Sequence, residues 1–382
     1  MRELQVEKLV WRGRGLAREE SGRVVMIEPG ALPGETVRVE VTSAKRDMLF
    51  ARPIDIVIPS PLRRSHPCPT ALVCTGCMFG VLPHRHQMTL KRDILNDALA
   101  RGLPRGMDRE TVPLEMFSGT TNWRYRWRAQ IHVHNKKPHY VSSSGQSILL
   151  NDCLLLARPL ATSMHRLAAE LPEGRFSITA SPSTHEASTE RDPRLLDFPL
   201  PGLDVPLRLP ASCFVQANWE LNRDLIGLIL GELKLVDRVA DCYAGAGNFA
   251  LPLAAHGKEV LALESSREAV RRGRETARAA GLKTVSFEAA DLRQPKAWNQ
   301  LQRYGPQAVV IDPPRSGSGP ISRQLLSLKG LQTLVWVSCD VTNTCRDLKP
   351  FFDAGWTLTS MTMIDMFPQT WHMEVVFVLK KV

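Results

Sequence analysis

The sequence predicts a multidomain protein with a small β-barrel at its amino terminus, a central α+β region and a doubly wound α/β domain at its carboxyl terminus. Short alternating strands separated by Pro-Gly turns fill the first 60 residues. Compact apolar runs alternate with helical stretches after about residue 205. A chain of 382 residues with 43% hydrophobic residues is also long enough to form two or three domains.

Composition narrows the classes of protein to which this chain could belong. No run reaches the roughly 20 apolar residues of a membrane span, and residues 1–10 carry charges where a signal peptide has an apolar core. We therefore expect a cytoplasmic protein without a membrane partner. Eight cysteines are too few for a disulfide scaffold of this length, so clustered thiols indicate metal binding or catalysis.

The net charge of +10 is concentrated in one part of the chain. The net charge of residues 1–150 is +9, and that of the remaining residues is +1. A polyanion, RNA or DNA, is the expected partner, and a basic but merely solvated surface is the alternative that charge does not exclude. No segment indicates an obligate protein partner, and we expect a monomer.

Residues 1–60 have the pattern of a small antiparallel barrel. Val37, Val39 and Val41 alternate with polar residues, and Pro29-Gly30 and Pro33-Gly34 mark turns. An OB-like barrel fits this length and commonly binds nucleic acid, although a purely structural barrel is the alternative.

The central region, residues 61–205, contains a cysteine cluster. Cys68, Cys74 and Cys77 form C-x5-C-x2-C, and Cys153 follows far downstream. Three thiols in a short loop with a fourth returned by the fold suit a zinc ion or an iron-sulfur cluster, and spacing does not choose between them. Free structural cysteines are the alternative. A helix is predicted over residues 84–102 from the spacing of Leu90, Ile94, Leu95 and Leu99.

An aromatic and basic run follows at residues 123–128. As a strand, this run would place Trp123, Tyr125 and Trp127 on one face and the three arginines on the other. That arrangement suits base stacking beside phosphate contacts, and an ordinary half-buried strand is the alternative.

The carboxyl-terminal domain, residues 206–382, opens with a glycine-containing loop after its first predicted strand. Gly245 and Gly247 allow a ligand to approach the backbone closely, and Glu264 ends the next strand, where it can bind ribose hydroxyls. The third glycine of G-x-G-x-x-G is missing, so an adenosine ligand without a pyrophosphate fits best. S-adenosylmethionine is such a ligand, with Asp291 predicted near its adenine.

Three further residues follow predicted strands of the same sheet. Asp312 precedes two prolines that suit the wall of a base pocket, and Cys339 ends the next strand. A thiolate can add to carbon 6 of uracil and activate carbon 5 for methylation, after which Glu374 is the candidate base for the carbon 5 proton. We expect structural burial of the other three cysteines of this domain, Cys213, Cys242 and Cys345.

These motifs resemble those of the bacterial 5-methyluridine RNA methyltransferases from end to end. The matching segments are C-x5-C-x2-C with Cys153, FVQAN at 214–218, DCYAGAGNFALPLA at 241–254, IDPPRSG at 311–317, SCDVTNTCRDL at 338–348 and HME at 372–374. The resemblance implies a TRAM barrel over 1–60, a central 4Fe-4S domain over 61–205, and a Rossmann-like class I methyltransferase domain over 206–382. Part of 83–118 would pack with the catalytic domain.

The resemblance also implies a role for each matching residue. Cys339 would be the nucleophile and Glu374 the general base. Asp340-Val341 stand where the family usually has Asn-Pro. The cluster ligands would be Cys68, Cys74, Cys77 and Cys153. The pocket for S-adenosylmethionine and the base would contain Gln216, Tyr243, Gly245, Gly247, Asn248, Glu264, Asp291 and Asp312.

The expected reaction is methylation of carbon 5 of one uridine in RNA through a covalent Cys-uracil adduct. The resemblance favours 23S rRNA, because the family's transfer-RNA members typically lack the TRAM barrel and the cluster cysteines. The alternatives are a tRNA uridine methyltransferase, an RNA cytosine C5-methyltransferase and a non-catalytic iron-sulfur RNA-binding protein. No cysteine follows a proline in the carboxyl-terminal domain, where the cytosine enzymes have a Pro-Cys nucleophile, and this counts against the cytosine enzyme; the missing third glycine counts against a dehydrogenase.

Overall fold

The computed structural model describes residues 1–71, 73–104, 112–142, 145–319 and 321–381. The chain forms two compact units. The first comprises Met1–Leu103, Val141–Ile148 and Phe367–Met373, and the second comprises Pro104–Tyr140, Leu149–Met366 and Glu374–Val382. The division at residues 60 and 205 stays a prediction, and positions 105–111 of the segment 83–118 lie outside the described residues. No described helix is long and apolar enough to cross a membrane.

The first unit contains a six-stranded sheet in the order β1-β5-β6-β4-β3-β2. Its strands are β1 (Arg2–Gln5), β2 (Lys8–Val10), β3 (Arg14–Arg18), β4 (Val24–Ile27), β5 (Thr36–Lys45) and β6 (Met48–Ile58). Val37 and Val39 are fully buried, as their alternation predicts, whereas Val41 is exposed. The predicted antiparallel pattern is wrong for one pair, because β6 returns from the β5–β6 hairpin alongside β4 in the same direction.

Helix α1 (His84–Gly102) confirms the predicted helix, with Ile94, Leu95 and Leu99 buried. Two 3-10 turns, Trp11–Gly13 and Thr75–Val81, belong to the same unit.

The buried polar face of α1 holds the segment Phe367–Met373. The Lys91 ammonium donates to the carbonyl oxygens of Phe367 at 3.0 Å and His372 at 2.7 Å. The Gln87 amide donates to Gln369 Oε1 at 2.8 Å and accepts from the Gln369 backbone N–H at 2.9 Å. Since buried polar groups are costly unless paired, these bonds fix the segment that runs directly into Glu374.

The second unit begins with strand β7 (Leu114–Phe117) and an antiparallel sheet packed on a helix. The elements of this part are β8 (Arg128–His134), β9 (Lys137–Val141), α2 (Arg158–Glu170), β11 (Gly174–Ala180) and β12 (Ala187–Thr189). Strand β10 (Ser147–Leu149) falls mostly in the range Val141–Ile148 of the first unit. β11 pairs with both β8 and β12, and β8 also pairs with β9. Leu160, Met164 and Ile178 are fully buried in its core.

The predicted strand is wrong for residues 123–127. β8 begins only at Arg128, and Arg124 has a left-handed backbone with φ of 60°. The backbone N–H groups of Arg124 and Trp127 instead donate to Leu154 and Ala217, at 2.8 Å each. Because these loop contacts replace a regular ladder, the aromatic and basic side chains do not divide between two faces.

The remainder of the second unit is a doubly wound α/β fold, as predicted. Its strands are β13 (Leu195–Phe198), β14 (Leu207–Pro210), β15 (Arg238–Cys242), β16 (Glu259–Glu264), β17 (Val285–Ala289), β18 (Ala308–Ile311), β19 (Thr333–Ser338), β20 (Trp356–Ile364) and β21 (Glu374–Lys381). Its helices are α3 (Trp219–Glu232), α4 (Ala250–Ala255), α5 (Arg267–Ala279), α6 (Pro295–Tyr304), α7 (Ile321–Leu325) and α8 (Val341–Asp353).

β13 and β14 form a hairpin, and the other strands join β7 in one eight-stranded sheet of order β17-β16-β15-β18-β19-β21-β20-β7. The strands from β17 to β19 are parallel, and β21 is antiparallel to both of its neighbours. The strand order reverses between β15 and β18, which is where ligands bind in such sheets. The sequence had not indicated β20 or β7, since WTLTSMTMI mixes apolar and hydroxyl residues and LEMF is short.

We expect alanine at two helical glycines to change stability in opposite directions. On Gly273 of α5 a Cβ atom would lie 2.7 Å from Phe287 Cζ, so Gly273→Ala should destabilise the protein by about 1–3 kcal/mol through overpacking. On Gly227 of α3 a Cβ would meet nothing within 4 Å, so Gly227→Ala should stabilise by up to about 1 kcal/mol. Urea unfolding measures both, and a stabilising Gly273→Ala would contradict this packing.

Candidate active site

The loop after β15 adopts a backbone that admits few residue types. Tyr243, Gly245 and Gly247 have φ values of 63°, 56° and 99°. A Cβ on Gly247 would lie 2.7 Å from the Phe287 ring, so glycine is required there for packing as well as for conformation. A Cβ on Gly245 would meet nothing within 4 Å, so the backbone at this position faces open space.

Glu264 lies at the end of β16, where its carboxylate organises this loop. One oxygen accepts from the Gly245 backbone N–H at 3.0 Å, and the other accepts from the Ser266 backbone N–H at 2.7 Å. Asp291, beyond the end of β17, forms an ion pair of 2.8 Å with Arg293, and this hydrogen bond lowers the pKa of Asp291. The Asp291 carboxylate is therefore suited to accept hydrogen bonds in its charged form.

A small cavity of about 50 Å³ brings several predicted ligand residues together. Gln216 Nε2 donates to Asp312 Oδ2 at 3.3 Å across it, and Asn248 exchanges a pair of amide hydrogen bonds with buried Asn222 at 2.8 and 2.9 Å. Phe214, also in its wall, is 68% exposed and presents an aromatic surface. The predicted residues in this wall are Gln216, Tyr243, Gly245, Asn248 and Asp312, whereas Gly247, Glu264 and Asp291 lie outside it.

Strand pairing brings Cys339 and Glu374 close together. Ser338 at the end of β19 pairs with Val375 in the antiparallel strand β21, so the next residues along these two strands occupy adjacent positions. Burial, and then the negative charges of Glu374 and Asp312, raise the pKa of Cys339 to about 12. The thiol is therefore neutral near pH 7 in the free protein.

Glu374 is a buried carboxyl group with an unused oxygen. The residue is only 6% exposed, and its Oε2 atom has no hydrogen-bond partner among the described residues. Burial, together with the charge of Asp312, raises the pKa of Glu374 well above its usual value. A buried polar atom without a partner is costly, so this oxygen is a natural acceptor for a group that a ligand supplies.

Comparisons with known proteins agree with this geometry. The family model for tRNA (Uracil-5-)-methyltransferase matches residues 196–382, and that for the TRAM domain matches residues 2–54. The 23S rRNA (uracil(1939)-C(5))-methyltransferase RlmD of Xanthomonas oryzae is 32% identical, with 97% of this chain and 95% of that protein covered. RlmD of Shewanella amazonensis is 30% identical, with 97% and 94% covered.

The chain belongs to the RNA uracil-C5 methyltransferase family.

A solved structure agrees with the fold of this methyltransferase. The tRNA (uracil-54, C5)-methyltransferase of Pyrococcus abyssi, in complex with S-adenosyl-L-homocysteine, superposes with a TM-score of 0.73 at 19% identity, covering 98% of this chain and 100% of that one. The resemblance inferred from the motifs is thus confirmed for the family, the TRAM domain and the methyltransferase fold.

The departure at Asp340 has a structural explanation in this methyltransferase. Asp340 is the N-cap of α8, and its side chain accepts from the Asn343 backbone N–H at 3.1 Å. Asp and Asn are equally good caps, so the replacement keeps the helix start immediately after Cys339 in place.

Arg315 is a functional candidate that the sequence analysis missed. Its positive charge lowers the pKa values of Cys339 and Glu374, against the larger effect of burial. Asn343 Nδ2 donates to the Arg315 carbonyl oxygen at 2.9 Å, and Asp347 Oδ2 accepts from the Ser318 backbone N–H at 2.6 Å. Its position directly after two prolines at a strand end was the available signal, since basic residues there face the ligand edge of the sheet.

The structure does not show the predicted metal site. No three His, Cys, Asp or Glu side chains come together as metal ligands within the described ranges. Cys77 Sγ lies 3.4 Å from His66 Nε2, and Cys68 Sγ lies 3.2 Å from Thr70 Oγ1, so both thiols have local polar neighbours. Cys74 belongs to the same unit, and Cys153 belongs to the other. The three cysteines for which we expected structural burial, Cys213, Cys242 and Cys345, are buried.

We expect Glu374→Gln to lower the pKa of Cys339, because it removes a negative charge that stabilises the neutral thiol. The pH dependence of iodoacetamide alkylation measures this pKa, and fragmentation mass spectrometry separates Cys339 from Cys345. The alkylation midpoint should move to lower pH than in the wild type. Glu275→Gln on the exposed surface of α5 is the matched control, and identical profiles for all three proteins would place Glu374 away from the thiol.

Proposed function

We propose that this enzyme methylates carbon 5 of one uridine in 23S rRNA, with S-adenosylmethionine as methyl donor. The observation that carries the proposal is the pairing of β19 with β21, which puts a half-buried thiol beside a buried carboxyl with an unused oxygen. The RlmD relatives, matched over 97% of the chain, favour ribosomal over transfer RNA. A cytoplasmic, monomeric enzyme remains the expectation for this substrate.

The residues around the β15 loop fit S-adenosylmethionine. The open backbone at Gly245 and the glycine-only conformation at Gly247 allow close approach of a ligand, and Glu264 beside them can accept from ribose hydroxyls. Asp291 would lie toward the adenine, and Gln216, Tyr243 and Asn248 would complete the pocket. When bound, this group supplies a methyl carbon activated by a positively charged sulfur.

Cys339 begins the reaction on the base. Its thiolate adds to carbon 6 of uracil, and the electron pair of the carbon 5–carbon 6 double bond moves into an enolate, which makes carbon 5 nucleophilic. The thiol is neutral in the free enzyme, so its proton must pass to solvent before the sulfur adds to carbon 6. Burial raises the pKa of Cys339 and so keeps the thiol protonated, whereas the positive charge of Arg315 lowers that pKa.

Glu374 completes the reaction. After carbon 5 has gained the methyl group, it still carries its proton, and Oε2 of Glu374 is the acceptor we assign to it. The electrons of that carbon–hydrogen bond restore the double bond and expel the Cys339 thiolate. Since burial and Asp312 raise the pKa of Glu374, activity should increase with pH as this carboxyl loses its proton.

The amino-terminal half would hold the RNA around the target. The TRAM domain and the excess positive charge of residues 1–150 suit contacts with the phosphate backbone, which should make binding fall steeply with salt. The target base must be unpaired or flipped from its stack to reach Cys339.

Ribosomal RNA that contains 5-fluorouridine should form a stable covalent adduct with the enzyme. Fluorine replaces the proton that Glu374 removes, so elimination of Cys339 is blocked after methyl transfer. Mass spectrometry of digested complexes should find the modified uridine on Cys339 and identify the RNA fragment. Without an adduct on any ribosomal or transfer RNA, the uridine assignment fails.

Two variants separate the roles of the pair. Cys339→Ala should form no adduct, whereas Glu374→Gln should accumulate one on ordinary uridine because the proton on carbon 5 remains. The Glu374→Gln substitution should lower the turnover rate by a factor of about 100 or more, as expected for the loss of a general base. An adduct in Cys339→Ala would assign the nucleophile to another thiol.

We also propose that Cys68, Cys74, Cys77 and Cys153 ligate an iron-sulfur cluster with a structural role. The C-x5-C-x2-C spacing and the chemistry of four thiolates support this assignment, and no step of the reaction is derived through it.

Anaerobically purified enzyme should contain about four irons and four sulfides per chain, together with the visible absorbance of a cluster. Cys74→Ser should lower the iron content and the melting temperature, and Cys213→Ser should leave the iron content unchanged. Iron-free wild-type enzyme of normal stability and activity would contradict the assignment.

A further inference from the structure

The second unit contains another cavity, of about 590 Å³, that none of the chemistry above uses. Trp219 lines this cleft and the smaller cavity that holds Gln216 and Asp312, so the two share a wall. Binding sites for small ligands commonly occupy about 300–1,000 Å³. Its principal side chains are Arg124, Tyr125, Trp127, Trp219 and Arg223, with Pro199–Pro201 at one end.

The irregular backbone of residues 124–127 builds one wall of the cleft. The left-handed conformation of Arg124 turns this segment so that Arg124, Tyr125 and Trp127 all contribute to the same cavity. The Trp127 backbone N–H donates to Ala217 in the FVQAN segment at 2.8 Å. Within that segment Gln216 faces the small cavity and Asn218 faces the cleft, and two residues of extended chain span about 7 Å.

Aromatic surfaces in the cleft are fixed before any ligand arrives. Trp127 lies nearly parallel to His185, with an interplanar angle of 18° and ring centroids 6.0 Å apart. Trp219 is 4% exposed, and its indole N–H donates to the Pro199 carbonyl oxygen at 3.1 Å. A planar group that stacks on Trp127 would therefore cost little ordering of the protein.

The lining of the cleft carries two cations, Arg124 and Arg223, and one carboxylate, Glu220. The Glu220 carboxylate accepts from the backbone and hydroxyl of Thr120 and from the hydroxyl of Thr121, and Arg124 is held by Asp152 and the Cys153 carbonyl oxygen. Arg223 is exposed on α3, and its charge also acts on the neighbouring carboxyl groups of Glu220 and Asp224. Its exposed guanidinium is thus the cation of the cleft that a ligand can reach.

We propose that this cleft binds an unpaired nucleotide of the RNA next to the target uridine, with its base on Trp127 and its phosphate on Arg223. This inference rests on the proposed function. A target base at Cys339 would lie near Asp312, whose charge raises the pKa of that thiol, and Asp312 lines the small cavity together with Trp219. Because Trp219 also lines the cleft, a neighbouring nucleotide can reach it. Arginine and aromatic side chains side by side are the usual means of binding single-stranded nucleic acid without reading its sequence.

Binding measurements on variants test the cleft. Trp127→Ala should raise the Kd for a 23S rRNA fragment about tenfold, while Trp127→Phe, which keeps an aromatic ring, should stay within about twofold of wild type. Arg223→Gln should raise Kd and lower the slope of log Kd against log salt by about 0.7, as expected for one lost phosphate contact. Arg303→Gln on the surface of α6 is the matched control and should change neither quantity.

An abasic scan identifies the nucleotide. With wild-type enzyme, removal of one base beside the target should weaken binding by the same factor as Trp127→Ala, and the two changes together should do no more than either alone. Trp127 is partly buried, so melting temperatures accompany its variants, and exposed Arg223 provides a test that does not depend on packing.

The outcomes distinguish failure of the cleft assignment from failure of the proposed function. The cleft assignment is overturned, while methyl transfer to the fragment continues, if the effects of the abasic site and of Trp127→Ala are additive. It is also overturned if Arg223→Gln leaves both Kd and the salt slope unchanged. The proposed function itself is overturned if the wild-type enzyme binds the fragment but forms neither 5-methyluridine nor the 5-fluorouridine adduct. The cleft inference is overturned if the cleft binds a protein segment in preference to RNA.

Discussion

Three acidic groups are shielded from water at one edge of the sheet, and the rest of the structure depends on this constraint. Cys339, Asp312 and Glu374 follow or begin neighbouring strands, and burial raises the pKa of each. Burial makes the charged form of each group costly in the free protein, so the thiol stays protonated there. The paired strands β19 and β21 and the N-cap of α8 hold these groups in place. The positive charge of Arg315 acts against that cost.

The loops that carry the other site residues are held by side chains outside the reaction. Glu264 at the end of β16 fixes the β15 loop through Gly245, and Asp347 of α8 fixes the loop after β18 through Ser318. Loops carry function on a scaffold that positions them. The positions of these two loops thus depend on a strand end and on one helix.

Two adjacent cavities of the second unit share a wall. The FVQAN segment contributes to both, so a single extended stretch of chain separates the small cavity beside the glycine loop from a cleft with aromatic and cationic walls. A nucleic acid that must surrender one base loses its stacking on the neighbours. An aromatic surface beside the reaction site can restore part of that stacking.

The sequence by itself determined the family, the doubly wound domain, helix α1, and the thiol, the carboxyl and the glycine loop, because each depends on local periodicity or on a residue type that the chemistry requires. It did not determine β7, β20, the parallel pairing of β4 with β6, or the surroundings of Arg124 and Arg315. Those features depend on contacts between segments distant in the chain, and in the run around Arg124 such contacts replaced the strand that the local pattern predicted. Only the tertiary structure shows which cation lowers the pKa of Cys339 and which aromatic rings line one cavity. Charge effects and ring stacking depend on distance in space and not on distance along the chain.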